Sequence, residues 1–110
     1  MGAIRLAALA AALAAACSGA NSTGIEPVSC PPTGTTLTYL NFGEDMMATN
    51  CTTSGCHDRK APQLTTQAAV IAAKDAILDE AVYTDAMPEN HDMLLEDRKR
   101  LGEWLACGAP

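Results

Sequence analysis

The chain has 110 residues, with 13 acidic and 7 basic side chains and a formal net charge of −6 at pH 7. Because an acidic chain is not attracted to phosphate backbones, nucleic acid is excluded as a partner. Aromatic residues make up only 4% of the sequence, and a small domain with so few large apolar groups rarely gains more than about 3–5 kcal/mol from its core. We therefore expect something besides apolar packing to stabilise the fold.

Residues 1–16 have the pattern of an export signal, in which Arg5 is followed by an apolar run. The run is shorter than the roughly 20 residues that a spanning helix needs. The stretch LAAAC at 13–17 resembles a bacterial lipobox, which implies a lipoprotein signal peptide at 1–16 and a lipidated Cys17. A lipid anchor would hold the protein in the cell envelope, facing the periplasm. Ser18 follows the cysteine where an Asp would signal inner-membrane retention, so the outer membrane is favoured.

The rest of the chain divides into a polar segment and a helical domain. Residues 17–36 are rich in Gly, Ser, Thr and Pro, which predicts a flexible tether. Residues 37–110 form the predicted domain. A first helix, capped by Asn41, is expected to end near Thr49, and a second, capped by Thr65 or Thr66, to occupy 65–82. The second helix is expected to bury one apolar stripe, formed by Val70, Ala73, Ile77 and Leu78. A loop without periodicity covers 83–92.

The last predicted helix covers 94–108 and is ended by Gly108. Its apolar stripe consists of Leu94, Leu101, Trp104 and Leu105. The charged run 96–100 is interpreted as a solvated face, with Glu96 paired with Arg100 across a turn. No strand pattern is present in the sequence, so an all-α fold of three helices is predicted.

Five cysteines in an exported chain require separate roles. With Cys17 assigned to lipid, an oxidising compartment could join Cys30 to Cys107, a cross-link expected to stabilise the fold by about 4–5 kcal/mol. Cys51 and Cys56 remain, with His57 next to the second of them.

Three chemistries compete for this triplet. A local disulfide between Cys51 and Cys56 would leave His57 as an exposed bystander. A zinc site could add His91 as the fourth ligand, although structural zinc sites usually place two to four residues between cysteines. In the third alternative, covalent haem, two thiols add to the porphyrin vinyl groups and the adjacent imidazole binds the iron.

The neighbouring motifs resemble those of the class I c-type cytochromes. The family's usual attachment motif is C-x-x-C-H, and this chain has the longer C-x-x-x-x-C-H at 51–57. Gly43 and Met47 precede it at the spacing of the family's glycine and bulky residue, APQL at 61–64 is similar to Gly-Pro-x-Leu, and Met87-Pro88 falls where the family keeps its distal ligand. The closing LGEWLACGAP resembles the family's C-terminal helix, with Trp104 expected to pack against Gly43.

This resemblance implies a small cytochrome c-like three-helix domain around one covalently attached haem c. Cys51 and Cys56 would form the thioethers, His57 would be the proximal iron ligand, and the Pro62 carbonyl would accept a hydrogen bond from the free nitrogen of His57. Met87 would be the distal ligand. His91 and Met93 are its rivals, whereas Met46 and Met47 are expected in the core.

The resemblance further implies a one-electron carrier, not an enzyme, because two axial ligands leave the iron no open position. Its partners would be redox proteins that bind transiently, at least one through a basic patch that matches the acidic surface. Two alternatives remain. If Met87 does not bind iron, the protein would be a five-coordinate, peroxidase-like haem protein; without haem it would be a disulfide-stapled envelope lipoprotein with a structural or interaction role.

Overall fold

A computed structural model of the chain describes residues 21–110, so the predicted signal peptide at 1–16 and the lipidation site Cys17 lie outside the described residues. Helix α1 (Glu44–Asn50) follows a π-helical turn (Tyr39–Gly43). Helices α2 (Gln67–Ala72) and α3 (Lys74–Ile77) follow in the chain, then a second π-helical turn (Leu78–Val82) and helix α4 (Leu95–Ala106). The described residues contain no strand, which is compatible with the predicted all-α class. No helix among them is long and apolar enough to cross a membrane.

The first helical segment begins earlier than the sequence indicated. Thr38, not Asn41, is its N-cap, and the Thr38 hydroxyl accepts a hydrogen bond from the Asn41 amide at 3.1 Å. The Asn41 side chain in turn accepts from the Thr38 amide at 2.7 Å. Asn41 therefore occupies the third position of a reciprocal capping box, and its prediction as the cap is wrong.

The second predicted helix has the expected start but is not continuous. Thr66, one of the two predicted caps, accepts a hydrogen bond from the Ala69 amide at 3.2 Å. At Ala73 the backbone leaves the helical region, with φ −96° and ψ 10°, and α3 begins at the next residue. Val70 and Ile77, on either side of this bend, are both buried. The apolar stripe is therefore kept although the helix is broken.

Helix α4 ends as predicted but begins differently. Gly108 has a φ of 91° and donates its amide to the Leu105 carbonyl at 2.9 Å, a left-handed helix end that favours glycine. Leu94, predicted on the buried stripe, is 73% exposed. It precedes the first helical residue, so the helical periodicity does not direct its side chain inward.

The charged run 96–100 differs from its predicted role as a solvated face. Arg98 is buried, with only 3% of its surface exposed. The predicted pair of Glu96 with Arg100 is also wrong, because Glu96 contacts Lys99 at 3.3 Å while Arg100 contacts Asp97 at 3.9 Å. Both observed pairs have a spacing of three residues, which also brings side chains together on a helix surface.

Helix α4 crosses the first helical segment at Gly43, where the predicted contact with Trp104 is present. A Cβ atom built on Gly43 would overlap the indole ring of Trp104. Trp104 is fully buried, with Phe42 packed edge-on at a centroid distance of 5.8 Å and Tyr39 stacked at 6.4 Å. Its indole nitrogen donates to the Pro110 carbonyl at 3.1 Å. Close approach of the two segments therefore depends on the missing side chain of Gly43.

Residues 21–30, here named the N-terminal strap, pack on the domain. Ile25 is 7% exposed, and the Thr23 hydroxyl donates to the Val82 carbonyl at 2.6 Å. The Tyr83 hydroxyl accepts from the Val28 amide at 2.9 Å. The sulfur atoms of Cys30 and Cys107, 77 positions apart, lie at disulfide-bonding distance.

The strap therefore packs on the folded domain, which differs, for residues 21–30, from the flexible tether predicted over 17–36. Although the composition of the segment is mostly polar, two of its apolar residues attach it to the domain: Ile25 is buried in the core and Val28 packs against that core. The Thr23 hydroxyl donates to the Val82 carbonyl at the end of the second π-helical turn, and the Val28 amide donates to the hydroxyl of Tyr83, the next residue.

Candidate functional site

A cavity of about 380 Å³ lies between the 51–64 loop, the α3 segment with its π-helical turn, and the 87–91 loop. Its volume falls in the range of about 300–1,000 Å³ typical of ligand sites. The cofactor-site residues predicted from the sequence all line this one cavity: Cys51, Cys56, His57, Pro62 and Met87. The fold therefore brings together residues that are up to 36 positions apart, Cys51 and Met87 being the outermost.

The two cysteines of the cavity are free thiols, so the local disulfide is not formed. Cys51 ends α1, where its amide donates to the Met47 carbonyl at 2.8 Å, and its side chain is buried. Burial, with a smaller contribution from the neighbouring Cys56 thiol, raises the pKa of Cys51 to about 11. Cys56 is more accessible, and its sulfur accepts a hydrogen bond from the Thr53 hydroxyl at 3.4 Å. The Cys51 sulfur therefore remains a neutral thiol near neutral pH.

The loop between the cysteines returns His57 towards the end of α1. The His57 amide donates to the Cys51 carbonyl at 2.9 Å, and the His57 carbonyl accepts from the Leu64 amide at 2.9 Å. Gly55, with a φ of 84°, supplies the left-handed residue that the extra length of the loop requires. The backbone on both sides of the imidazole is thus fixed by the loop itself.

The imidazole of His57 carries a buried nitrogen, Nδ1, without a hydrogen-bond partner among the described residues. The bond predicted from this nitrogen to the Pro62 carbonyl is therefore not made in this structure, although Pro62 lines the same cavity. Buried polar atoms are nearly always paired, and an exception indicates a missing partner. His57 therefore reaches the cavity with a buried ring nitrogen that has no partner among the described residues.

The structure separates the candidates for a second axial ligand. Met87 lines the cavity, and its amide donates to the Glu80 carbonyl at 2.8 Å. Met93 is buried, at 5% exposure, in the apolar core and is not part of the cavity wall. His91 lies at the cavity, but its Nε2 contacts the Asn50 side-chain oxygen at 2.9 Å. Of these three candidates, Met87 is thus the one that lines the cavity without a side-chain hydrogen bond among the described residues.

Sequence reasoning assigned Ile77 only to the core and did not find the other apolar wall residues of the cavity. Leu64, Ile77 and Ala81 are buried and line it. The signal was present in part, since Ile77 belongs to the predicted apolar stripe and Leu64 closes the APQL motif. Lys60 and Glu80, from two different segments, also line the cavity with opposite charges, and no local pattern indicated that both would lie there.

The zinc alternative finds no assembled ligand set. Within the part of the chain that the structure describes, no three His, Cys, Asp or Glu side chains are grouped closely enough to hold a metal ion. Of the four ligands that this alternative requires, His91 contacts Asn50 instead.

We compared the chain with protein-family models, with curated proteins and with solved structures. None of the three comparisons finds a match. The function of the cavity is therefore inferred from the residues that line it.

Proposed function

We propose that the protein is a monohaem c-type cytochrome lipoprotein that carries single electrons in the bacterial envelope. The observation that carries this proposal is the convergence of Cys51, Cys56, His57 and Met87 on one cavity. Two free thiols next to an imidazole, with a thioether on another segment of the wall, form the donor set that covalent haem requires. The three-helix cytochrome c-like fold is part of the same proposal.

The residues of the cavity would have distinct tasks. The thiols of Cys51 and Cys56 would each add across a vinyl double bond, so that sulfur bonds to one carbon and the thiol proton ends on the other. This addition consumes no oxidant. His57 and Met87 would hold the iron, while Leu64 and Ile77 would offer apolar surface to the ring.

A bound haem supplies reversible one-electron chemistry between Fe(II) and Fe(III), and a thioether ligand raises its potential. Because His57 and Met87 would both bind the iron, we propose an electron carrier and not an enzyme. Partners would be redox proteins that meet the acidic surface over a small, short-lived interface. The pairing of Cys30 with Cys107 supports an oxidising compartment, and a lipid on Cys17 would hold the domain at a membrane.

The test is expression of the full chain in cells that attach haem c, followed by mass spectrometry and a pyridine haemochrome spectrum. We expect the mass of one haem bonded to the polypeptide. Cys51→Ser should leave one thioether and shift the reduced α band. A polypeptide without bonded haem and with both thiols open to alkylation would refute the proposal and favour a disulfide-stapled lipoprotein.

The axial ligand is tested separately with matched variants. Met87→Ala should abolish the weak red absorbance band that sulfur ligation gives ferric haem, whereas His91→Ala should keep it. Absence of the band from the wild-type protein, or its persistence in Met87→Ala, would reassign the ligand. If the wild-type protein itself reacts with peroxide, the five-coordinate alternative is supported instead.

A further inference from the structure

Arg98 lies in the interior of the molecule although it belongs to a run of charged residues. Among the residues that the structure describes it is the only charged side chain in the buried class, at 3% exposure. Burying a guanidinium costs free energy unless its donors are paired. Its nearest carboxylate is that of Asp92, at 3.4 Å, and the Asp92 side chain is itself 93% exposed. A surface ion pair of this kind contributes little, so its other partners must justify the burial.

Those other partners are main-chain carbonyl groups of residues before, within and after the 87–91 loop of the cavity. Nη1 donates to the Ala81 carbonyl at 2.8 Å, at the end of the second π-helical turn. The two N–H groups of Nη1 are shared with two more carbonyls, Met87 at 2.9 Å and Thr84 at 3.3 Å, and Nε donates to the Met93 carbonyl at 3.3 Å. These three carbonyls are spread over the loop that joins this turn to α4. One side chain of α4 thus holds the beginning, the middle and the end of this loop.

The peptide groups around Met87 are consequently fixed from two sides. The Met87 amide donates to the Glu80 carbonyl at 2.8 Å, and the Met87 carbonyl accepts from Arg98 at 2.9 Å. Hydrogen bonds from an ionised donor are stronger than neutral ones. The backbone from which the Met87 side chain extends to the cavity therefore has little freedom to move away.

We propose that Arg98 is a positioning residue, which presents the thioether of Met87 to the cavity by clamping the carbonyls of the 84–93 loop. Arg98 does not line the cavity, so it acts through Met87 and not on a ligand directly. For the part that concerns iron, this proposal rests on the proposed function.

The chemistry of the side chain explains why an arginine is needed. A guanidinium has five N–H donors in a planar fork, and Arg98 uses all three of its nitrogens, on acceptors that lie in different directions. A lysine would supply the charge as a single point with three donors. Arg98→Lys should therefore keep the charge and most of the volume but release some of the carbonyls.

The experiment compares Arg98→Met and Arg98→Lys with the matched control Arg100→Met in the full haem-loaded chain. Arg100 lies two residues further along α4, is exposed, and sits over the Phe42 ring at 5.0 Å. Amide hydrogen exchange is followed by mass spectrometry in peptides covering 84–93 and, for reference, in α1. In parallel, imidazole is titrated as a competitor for the iron position of Met87, with the red absorbance band as the signal.

We expect exchange in the 84–93 peptides to become about tenfold faster in Arg98→Met, the effect of losing charge-assisted hydrogen bonds to buried acceptors. Imidazole should displace Met87 at a concentration about tenfold lower, with Arg98→Lys between this variant and wild type. Arg100→Met should match wild type in both measurements.

If Arg98→Met has the same loop exchange rate and the same imidazole affinity as the wild-type protein, the proposal is overturned. An equal acceleration in α1 and in the 84–93 peptides would also overturn it, because that pattern indicates general destabilisation. If Arg98→Met does not fold, Arg98→Lys decides by the same criteria. Absence of bonded haem would refute the proposed function alone, since loop exchange still reports on the clamp in the haem-free chain.

Discussion

Replacing Gly43 by alanine should change the free energy of unfolding through two effects of opposite sign. Alanine stabilises a helical position relative to glycine by about 0.5–1 kcal/mol. The new Cβ would, however, overlap the outer atoms of the Trp104 indole and lie 3.0 Å from its Cε2. Trp104 cannot easily withdraw, because it is fully buried and its Nε1 is bonded to the Pro110 carbonyl. Overpacking of a filled core typically costs about 1–3 kcal/mol, so the overlap should outweigh the helical preference.

We therefore expect Gly43→Ala to lower the free energy of unfolding by about 1–2 kcal/mol, which shifts the Tm of a domain of this size by at least about 4 °C. The measurement is guanidinium and thermal unfolding followed by circular dichroism. Ala48→Gly, at an exposed position of α1, calibrates the helical preference alone and should cost about 0.5–1 kcal/mol.

A double-mutant cycle with Trp104→Phe identifies the partner of the new methyl group. Gly43→Ala should be less harmful in the Trp104→Phe background, because the smaller ring leaves room for the Cβ. If Gly43→Ala instead raises stability by as much as Ala48→Gly lowers it, then α4 does not cross the first segment at this glycine.

Three further predictions concern the cross-link, the buried thiol and the strap. Replacing Cys30 and Cys107 together by serine opens a loop with a sequence separation of 77 and should cost about 4–5 kcal/mol in urea unfolding; a stability equal to that of wild type under oxidising conditions would mean that the bond does not form. Since the pKa of Cys51 is raised from 9.0 to about 11, the folded state prefers the neutral thiol, and the resulting stability is complete below pH 9 and lost as the pH rises towards 11. In chain made without haem, the urea midpoint should therefore fall over this window, and no difference from Cys51→Ser there would contradict the burial. Tyr83→Phe removes the acceptor of a 2.9 Å bond from the strap and should cost about 1 kcal/mol, with faster amide exchange confined to 22–28; unchanged exchange there would mean that the strap is held by other contacts.

The features that could be predicted from the sequence are those that depend on neighbouring residues. The cap at Thr66 and the helix end at Gly108 follow from local hydrogen-bonding chemistry and backbone preference, and both are observed. The residues of the cavity could be predicted because their types are chemically unusual in combination. A thiol pair followed by an imidazole indicates a site even when the fold is unknown.

The features that could not be predicted depend on contacts between distant segments. Composition predicted a flexible segment at 17–36, yet Ile25 and Val28 pack on the domain, because partners for them exist only after the chain has folded. Arg98 shows the same limit. Its sequence neighbours Asp97 and Lys99 are charged and surface-directed, and nothing local distinguishes a guanidinium whose acceptors lie 5 to 17 residues away.

Helix α4 contributes no residue to the wall of the cavity, yet three other segments of the domain are fastened to this helix or to its end. Trp104 contacts Gly43 before α1, Arg98 binds the 84–93 loop, and Cys107 pairs with Cys30 of the strap. These three fastenings differ in chemistry and lie at different positions along the helix, so each can be removed alone. Substitutions on α4 should therefore change the distances between wall segments while leaving every donor atom present, whereas substitutions in the wall remove a donor and leave the frame intact. This division explains why the chemistry of the cavity is visible in the sequence while the means of holding it together is visible only in the fold.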